Sequence, residues 1–363
     1  MILMNDFKKE PEDLVRQQLA AAERVFRSGW WILGSEVKEF EAAWAARCQV
    51  RHAIGVGNGM DALEIGLRAL SIGPGDEVIT TPMTAFASVL SILRCGATPV
   101  FADIDPATAI LDPEQVRRSL SPRTRAVMVV HLYGRAAPMD AFLELCEEKG
   151  LHLVEDCAQA HGASWNGRPL GSLGAFGGWS FYPTKNLGAV GDAGALTTDS
   201  EALADRARRL RNYGQSTRYH HPDLGLNSRL DELHAAILRA RLERLSAWIQ
   251  RRREVAIAYA EGIRNPSVRT LPPPEDPHHH VHYLFVLTSP DRDRLQTHLK
   301  TRGIDSLIHY PIPAHRQPPC ESLSRSPLPN AERHAAECLS VPCHPALSDA
   351  DVVRVIEAVN AFE

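Results

Sequence analysis

Asp156 and Lys185 are the two residues with the clearest chemical promise, and they bracket the stretch EDCAQAHGASWNGRPLGSLGAFGGWSFYPTK. Asp156 ends an apolar run (Leu151, Leu153, Val154), where a buried parallel strand would deliver it to the carboxyl edge of a sheet. A glycine-rich passage and a second apolar run then lead to one lysine, Lys185. Pyridoxal phosphate chemistry asks for this pair: a carboxylate to keep the pyridine nitrogen protonated, and an amine for the Schiff base. Taken singly, Asp156 also reads as a helix cap and Lys185 as a solvated surface lysine. A third element of such a site would be an anion cradle. In GVGNGMDAL the glycines fall at a strand-to-helix turn, where free amides and the helix dipole suit a phosphate, and Gly59 and Met60 are the positions to aim at it. An ordinary turn with Asp61 near the helix start reads equally well.

The elements that must hold these residues follow from the patterning. HAIGV, DEVIT, TPVFAD, RAVMVV and LHLVED are short apolar runs, each followed by a longer amphipathic stretch such as Asp61 to Leu70 or Met139 to Lys149. That alternation predicts an α/β fold with a mostly parallel sheet between helices. From Leu230 to about Gly262 a helical pattern runs without a proline, reading as the connection out of the first domain. Beyond the break at Pro272 to Pro277, a strand and two helices make a smaller C-terminal α+β unit that ends in the helix Asp349 to Phe362. The domain division expected is 1–240 and 241–363.

Composition narrows the function classes. The 363 residues are 44% hydrophobic and 23% charged with a net charge of -4, and no basic surplus argues for nucleic acid. The opening MILMNDFKKEPEDL lacks the apolar core of a signal peptide, and no stretch approaches the roughly 20 apolar residues of a membrane span, so a cytoplasmic protein is expected. Seven cysteines without a CxxC pair fit reduced thiols. Cys338, Cys343 and His344 lack a partner pair at zinc spacing, so no metal is expected. His278, His279, His280 and His282 read as a solvated loop entering the strand YLFVL.

The wording of several blocks adds to this reading. EDCAQAHGA, GSLGAFGGWSFYPTKNLGAVGDAGAL, RNYGQ and GLNSRLDELHAAILRARL, with GVGNGMDALEIGLRALSIGPGDEVITTP before them and IHYPIPAHRQP after, resemble the DegT/DnrJ/EryC1/StrS family of sugar aminotransferases over nearly the whole chain. The resemblance implies the PLP fold type I, with a seven-stranded sheet in the large domain, and pyridoxal 5'-phosphate as cofactor, passing through pyridoxamine 5'-phosphate. By the same resemblance Lys185 is the Schiff-base amine and then the general base, and Asp156 the partner of the ring nitrogen. Ser180 adds a hydroxyl to the phosphate site, and Asn227 reaches that phosphate from the partner of a homodimer. Phe86 matches the aromatic that stacks on the ring, although Ala85 stands where the family usually has Thr. Gln159 matches a glutamine near the phenolic oxygen.

Substrate contacts are expected at Tyr182, Arg229, His309 and Tyr310. The resemblance implies L-glutamate as donor and a nucleotide-linked ketosugar as acceptor. IHYPIPAHRQP is similar to the loop of members acting at C3 of 3-keto-6-deoxyhexoses, with Ala314 and Arg316 as departures. Arg229 suits a donor carboxylate through a bidentate pair, or an internal ion pair. The alternatives are a C4 aminotransferase, a pyridoxamine-dependent sugar dehydratase, and a non-catalytic cofactor-binding regulator. Dehydratase relatives replace the lysine with histidine, and a regulator would lose one of Asp156, Gln159 or Lys185, all of which are kept here.

Overall fold

The computed structural model describes residues 1–324 and 326–363. In chain order the main elements are α1 (Glu12–Ser28), α2 (Ser35–Cys48), β1 (His52–Val56), α3 (Gly59–Ala69), β2 (Glu77–Thr80), α4 (Phe86–Arg94), β3 (Thr98–Phe101), α5 (Pro113–Ser119), β4 (Thr124–Val130), α6 (Met139–Lys149) and β5 (His152–Asp156). A small hairpin, β6 (Ser164–Trp165) and β7 (Arg168–Pro169), precedes β8 (Phe176–Ser180), β9 (Gly194–Thr198) and α7 (Glu201–Leu210). There follow α8 (Glu232–Leu242), α9 (Leu245–Gly262), β10 (Arg269–Thr270), β11 (Phe285–Thr288), α10 (Arg292–Thr301), α11 (Pro329–Glu337), β12 (Cys338–Val341) and α12 (Asp349–Asn360).

Seven strands form one sheet in the order β1-β9-β8-β5-β4-β2-β3, in which only β9 runs against the rest. The sheet is covered on both faces, as a mostly parallel sheet must be. Strand alternation sorts its side chains into two cores: Ala126, Met128 and Val154 face one, Val127, Val129 and Leu153 the other. β8 carries two glycines in its five residues, which propensity disfavours, and β9 opens on one. Their glycines answer to packing: a Cβ at Gly178 would stand 2.5 Å from Leu63 Cδ2 of α3.

Three expectations need correction. The pattern from Leu230 to Gly262 is two helices, because after α8 the amide of Arg244 turns back to the Arg241 carbonyl, a tight i to i-3 bond. The break lets α8 pack on α1 and α2 while α9 serves a different core with α12. The C-terminal unit holds three antiparallel strands, β10-β11-β12, where one was expected. β12 was hidden because it leaves α11 directly at Cys338, with no glycine or proline to mark the change. Its core joins Val255, Tyr259, Phe285, Leu339 and Val355 to Ile2, which bridges to Ile304. The histidine cluster is solvated only in part: His278 is exposed, but His280 is buried, its ring stacked 3.9 Å from that of His282. Burial pushes His280 well below the ordinary histidine range and His282 down to about 3.

Candidate active site

Parallel strands deliver their last residues to one edge, and three of the predicted positions meet there. Asp156 ends β5 in register with Gly178 of β8; Ser180 ends β8 two residues on, and the loop that follows carries Lys185. Asp156 is buried, with Oδ2 accepting from the Ser88 hydroxyl at 2.6 Å and Oδ1 from the Ala158 amide at 3.1 Å. Thr84 lies 2.7 Å from the same hydroxyl. A carboxylate offers about four acceptor positions, so two donors leave Asp156 capacity for a cationic N–H.

Gly59 opens α3 beside Ser180: a Cβ at Gly59 would sit 2.6 Å from the Ser180 Cβ. Asn58 caps the helix by accepting the Asp61 amide at 2.9 Å, and the amides of Gly59 and Met60 lie ahead of the first intrahelical acceptor. The tight approach that only glycine permits therefore places a helix N-terminus and a hydroxyl together, which suits a phosphate dianion. Asp61 is also buried near the helix start, so the ordinary capped turn and the free amides coexist.

The Lys185 ammonium lies 4.5 Å from the centre of the Tyr283 ring. Burial raises the Tyr283 phenol, but Lys185 and a hydrogen bond with Thr184 outweigh it, and the net shift is downward. Gln159 is buried in the same region. Its Oε1 accepts the Tyr133 amide at 2.6 Å, and its Nε2 donates to the Tyr310 hydroxyl at 3.1 Å. The loop carrying His309 and Tyr310 is held at both ends, by paired bonds between Leu307 and Ser340 and by the Ala314 amide on the Pro82 carbonyl. His309 Nδ1 pairs with Ser340 Oγ at 2.9 Å, and burial, with the charge of Lys185, pushes the ring down to about 4.

Phe86 is the first residue of α4, two positions before Ser88, and packs half-buried against the large core. Tyr182 is 51% exposed. Asn227 and Arg229 stand apart: Asn227 is exposed and bridged to Asn212, while Arg229 donates to the Asn212 side chain at 3.1 Å and to the Tyr213 hydroxyl at 3.4 Å. Neither joins the hydrogen bonds around Asp156 and Gln159 among the described residues.

Sequence reasoning passed over Ser88, Tyr283 and Tyr133. Ser88 lies in the quoted run TTPMTAFAS, and its only signal is a hydroxyl one turn into a helix that follows a sheet edge. Tyr283 precedes a strand and reads as core. His161, in EDCAQAHGA, is fully buried among Trp44, Trp179 and Phe181, which holds its ring neutral with a pKa near 3. His131, Glu155 and Cys157 are close enough to hold a metal, yet Glu155 already accepts three amides and the His131 ring.

Comparison with known proteins identifies the family of the chain as a whole. The model of the DegT/DnrJ/EryC1/StrS aminotransferase family covers residues 12–360. The chain belongs to this family. It is an aminotransferase dependent on pyridoxal 5'-phosphate. It is 46% identical over 362 residues to a dTDP-3-amino-3,4,6-trideoxy-alpha-D-glucose transaminase of Streptomyces venezuelae, covering 98% of this chain and 95% of that one. It is 42% identical over 363 residues to a pleiotropic regulatory protein of Geobacillus stearothermophilus, covering 99% and 98%. The crystal structure of S. venezuelae DesV in complex with a ketimine intermediate superposes with a TM-score of 0.95 at 45% identity, covering 99% of this aminotransferase and 97% of DesV. No helix among the described residues is long and apolar enough to cross a membrane.

Proposed function

We propose that this aminotransferase moves an amino group from L-glutamate to C3 of a nucleotide-linked 3-keto-6-deoxyhexose, with dTDP as the expected nucleotide. The observation that carries the reading is the Gln159 to Tyr310 hydrogen bond. It seats the loop that resembles the C3-acting branch on the residues assigned to the cofactor, and the relative named as a 3-amino sugar transaminase supports it. Reacting atoms must approach within roughly 3 to 3.5 Å, so a loop that sets the register of the sugar decides which carbon reacts.

The bound cofactor supplies an electron sink for the electrons left when the donor loses its α-proton. Everything else falls to the chain. Gly59, Met60 and Ser180 would hold the phosphate, Asp156 the ring-nitrogen proton, and Phe86 and Gln159 the ring's faces. Lys185 carries the Schiff-base amine and, once displaced, moves the α-proton as general base. Tyr182, His309 and Tyr310 contact the sugar. Arg229 is assigned to the donor carboxylate, for which it must exchange its present partners Asn212 and Tyr213. The set Asp156, Gln159 and Lys185 is complete, which favours catalysis over the regulator and dehydratase readings.

A homodimer completes the site in this reading, with Asn227 reaching the phosphate of the partner. The exposed aromatics support it: Phe26, Trp30 and Trp31 are 63%, 62% and 48% accessible, and the Trp31 carbonyl accepts the Glu232 amide, close in sequence to Asn227 and Arg229. Mixing Lys185→Ala and Asn227→Ala protomers should restore activity, because one site of each heterodimer escapes both lesions. Failure with exchanging dimers would return Asn227 to its own subunit. The main test is a panel of nucleotide ketosugars with glutamate, read by mass spectrometry and NMR. Amination of the 3-keto isomer is expected; preferential amination of the 4-keto isomer would refute the regiochemistry.

A further inference from the structure

Tyr133 is wholly buried, sits in the turn after β4, and adopts a left-handed backbone (φ 61) that a large side chain rarely takes. Both of its ends are used. The amide donates to Gln159 Oε1 at 2.6 Å, and the hydroxyl donates to the His309 carbonyl. Gln159 in turn donates to the Tyr310 hydroxyl at 3.1 Å, and His309 and Tyr310 are consecutive. The bonds therefore close a ring: Tyr133 to Gln159, Gln159 to Tyr310, and back along the backbone through His309 to Tyr133. With its one proton given to the carbonyl, the Tyr133 oxygen accepts from Nε2–H of His334 at 3.0 Å. Burial raises the Tyr133 phenol far above its ordinary range and drops His334 to about 4, so both stay neutral and keep these donor roles across the working pH range.

We propose that Tyr133 is a positioning residue for the sugar substrate: its hydroxyl ties the His309–Tyr310 loop, and its amide ties Gln159, so that the substrate loop and the cofactor face are held in one register. The proposal rests on the assignment of Gln159, His309 and Tyr310 made above. A ring constrains more than its separate bonds, since each member limits the freedom of the others. Tyr133 touches neither cofactor nor sugar in this scheme; it acts through the loop. The deciding consequence is a split between half-reactions. The glutamate half needs Lys185 and Asp156, and a loosened sugar loop leaves both in place.

The test uses Tyr133→Phe, which removes one oxygen and keeps the ring, as the holoenzyme. The KM for the nucleotide ketosugar should rise about tenfold, as the loss of one buried hydrogen bond would give, with kcat within about twofold. The glutamate half-reaction, followed by its absorbance change, should run at the wild-type rate. Amides of Leu307, Ile308 and His309 should exchange with deuterium faster than in the wild type. A lowered melting temperature with wild-type KM and wild-type exchange would overturn the proposal and leave Tyr133 as core. If Tyr133→Phe fails to fold, Tyr310→Phe opens the same ring at Gln159; faster exchange at Leu307 to His309 is then expected, and wild-type exchange overturns the ring. Should the wild-type enzyme aminate no nucleotide ketosugar, the proposed function fails, while the exchange measurements still decide whether the ring holds the loop.

Discussion

Glu155 and Asp156 are neighbours on β5, both carboxylates and both buried, yet their hydrogen bonding differs sharply. Alternation turns Glu155 to the face of Leu153 and Asp156 to that of Val154. Glu155 is saturated from within: Oε1 accepts the amides of Leu173 and Gly174, and Oε2 accepts the amide of Gly171, each at 2.8 Å. The fourth donor is His131 Nε2 at 3.2 Å, whose tautomer follows from Nδ1 accepting the Ala137 amide. Asp156 has two donors and acceptor capacity to spare. The fold fills every acceptor position of Glu155, and it leaves acceptor capacity on Asp156 at the sheet edge.

The largest effects should separate the two. Lys185→Ala should abolish the borohydride-trapped adduct and cut turnover by about 10² to 10⁴ or more, as the loss of a general base and Schiff-base amine requires. A surviving adduct would misplace the lysine. Asp156→Asn should lower turnover by roughly 10² to 10³, since a neutral amide cannot hold the ring proton, with the melting temperature of the apoprotein near wild type. Glu155→Gln should do the reverse, costing about 3 kcal/mol of stability in urea because its NH₂ faces amide donors. Holoenzyme that remains folded should turn over normally, and a catalytic defect without a stability loss would erase the contrast.

A further prediction concerns pH. His161 and His282 are pushed down to about 3, and His309, His334 and His344 to about 4, all chiefly by burial, with His280 also well below its ordinary range. For each the folded pKa lies below the unfolded value near 6.5, so the unfolded chain binds more protons between these values. Stability is then fully present above about pH 6.5 and falls as the pH drops toward 4. A melting temperature flat over that window would contradict the neutral burial of these rings. The smallest effect expected is that of Ser88→Ala, roughly threefold to tenfold in turnover, because Asp156 keeps the Ala158 amide after losing one charge-assisted bond. A loss as large as that of Asp156→Asn would make Ser88 more than an aid to orientation.

Much of this candidate site was legible in the sequence. Asp156, Gly59 and Lys185 stand out by local signals, at the ends of apolar runs and at a glycine turn, whereas Ser180 was singled out only by the family resemblance. The sheet was legible wherever its strands were rich in branched apolar residues. It was obscured at β8 and β9, where glycine is required by the close approach of α3, and at β12, which follows a helix without a break. The division of labour between Glu155 and Asp156 was not legible, because a dipeptide of acids says nothing about which face will meet the loop of Gly171 to Gly174.

The amino-acid order by itself determined most of the element types and which strand ends carry Asp156 and Ser180, since these depend on periodicity and on residues close along the chain. Only the tertiary structure decided that Ser88 orients Asp156, that Tyr283 lies under Lys185, and that Tyr133 joins Gln159 to a loop more than a hundred residues later. Hydrogen bonds between distant segments depend on register and side-chain direction to within a few tenths of an ångström, and no pattern along the chain encodes that geometry.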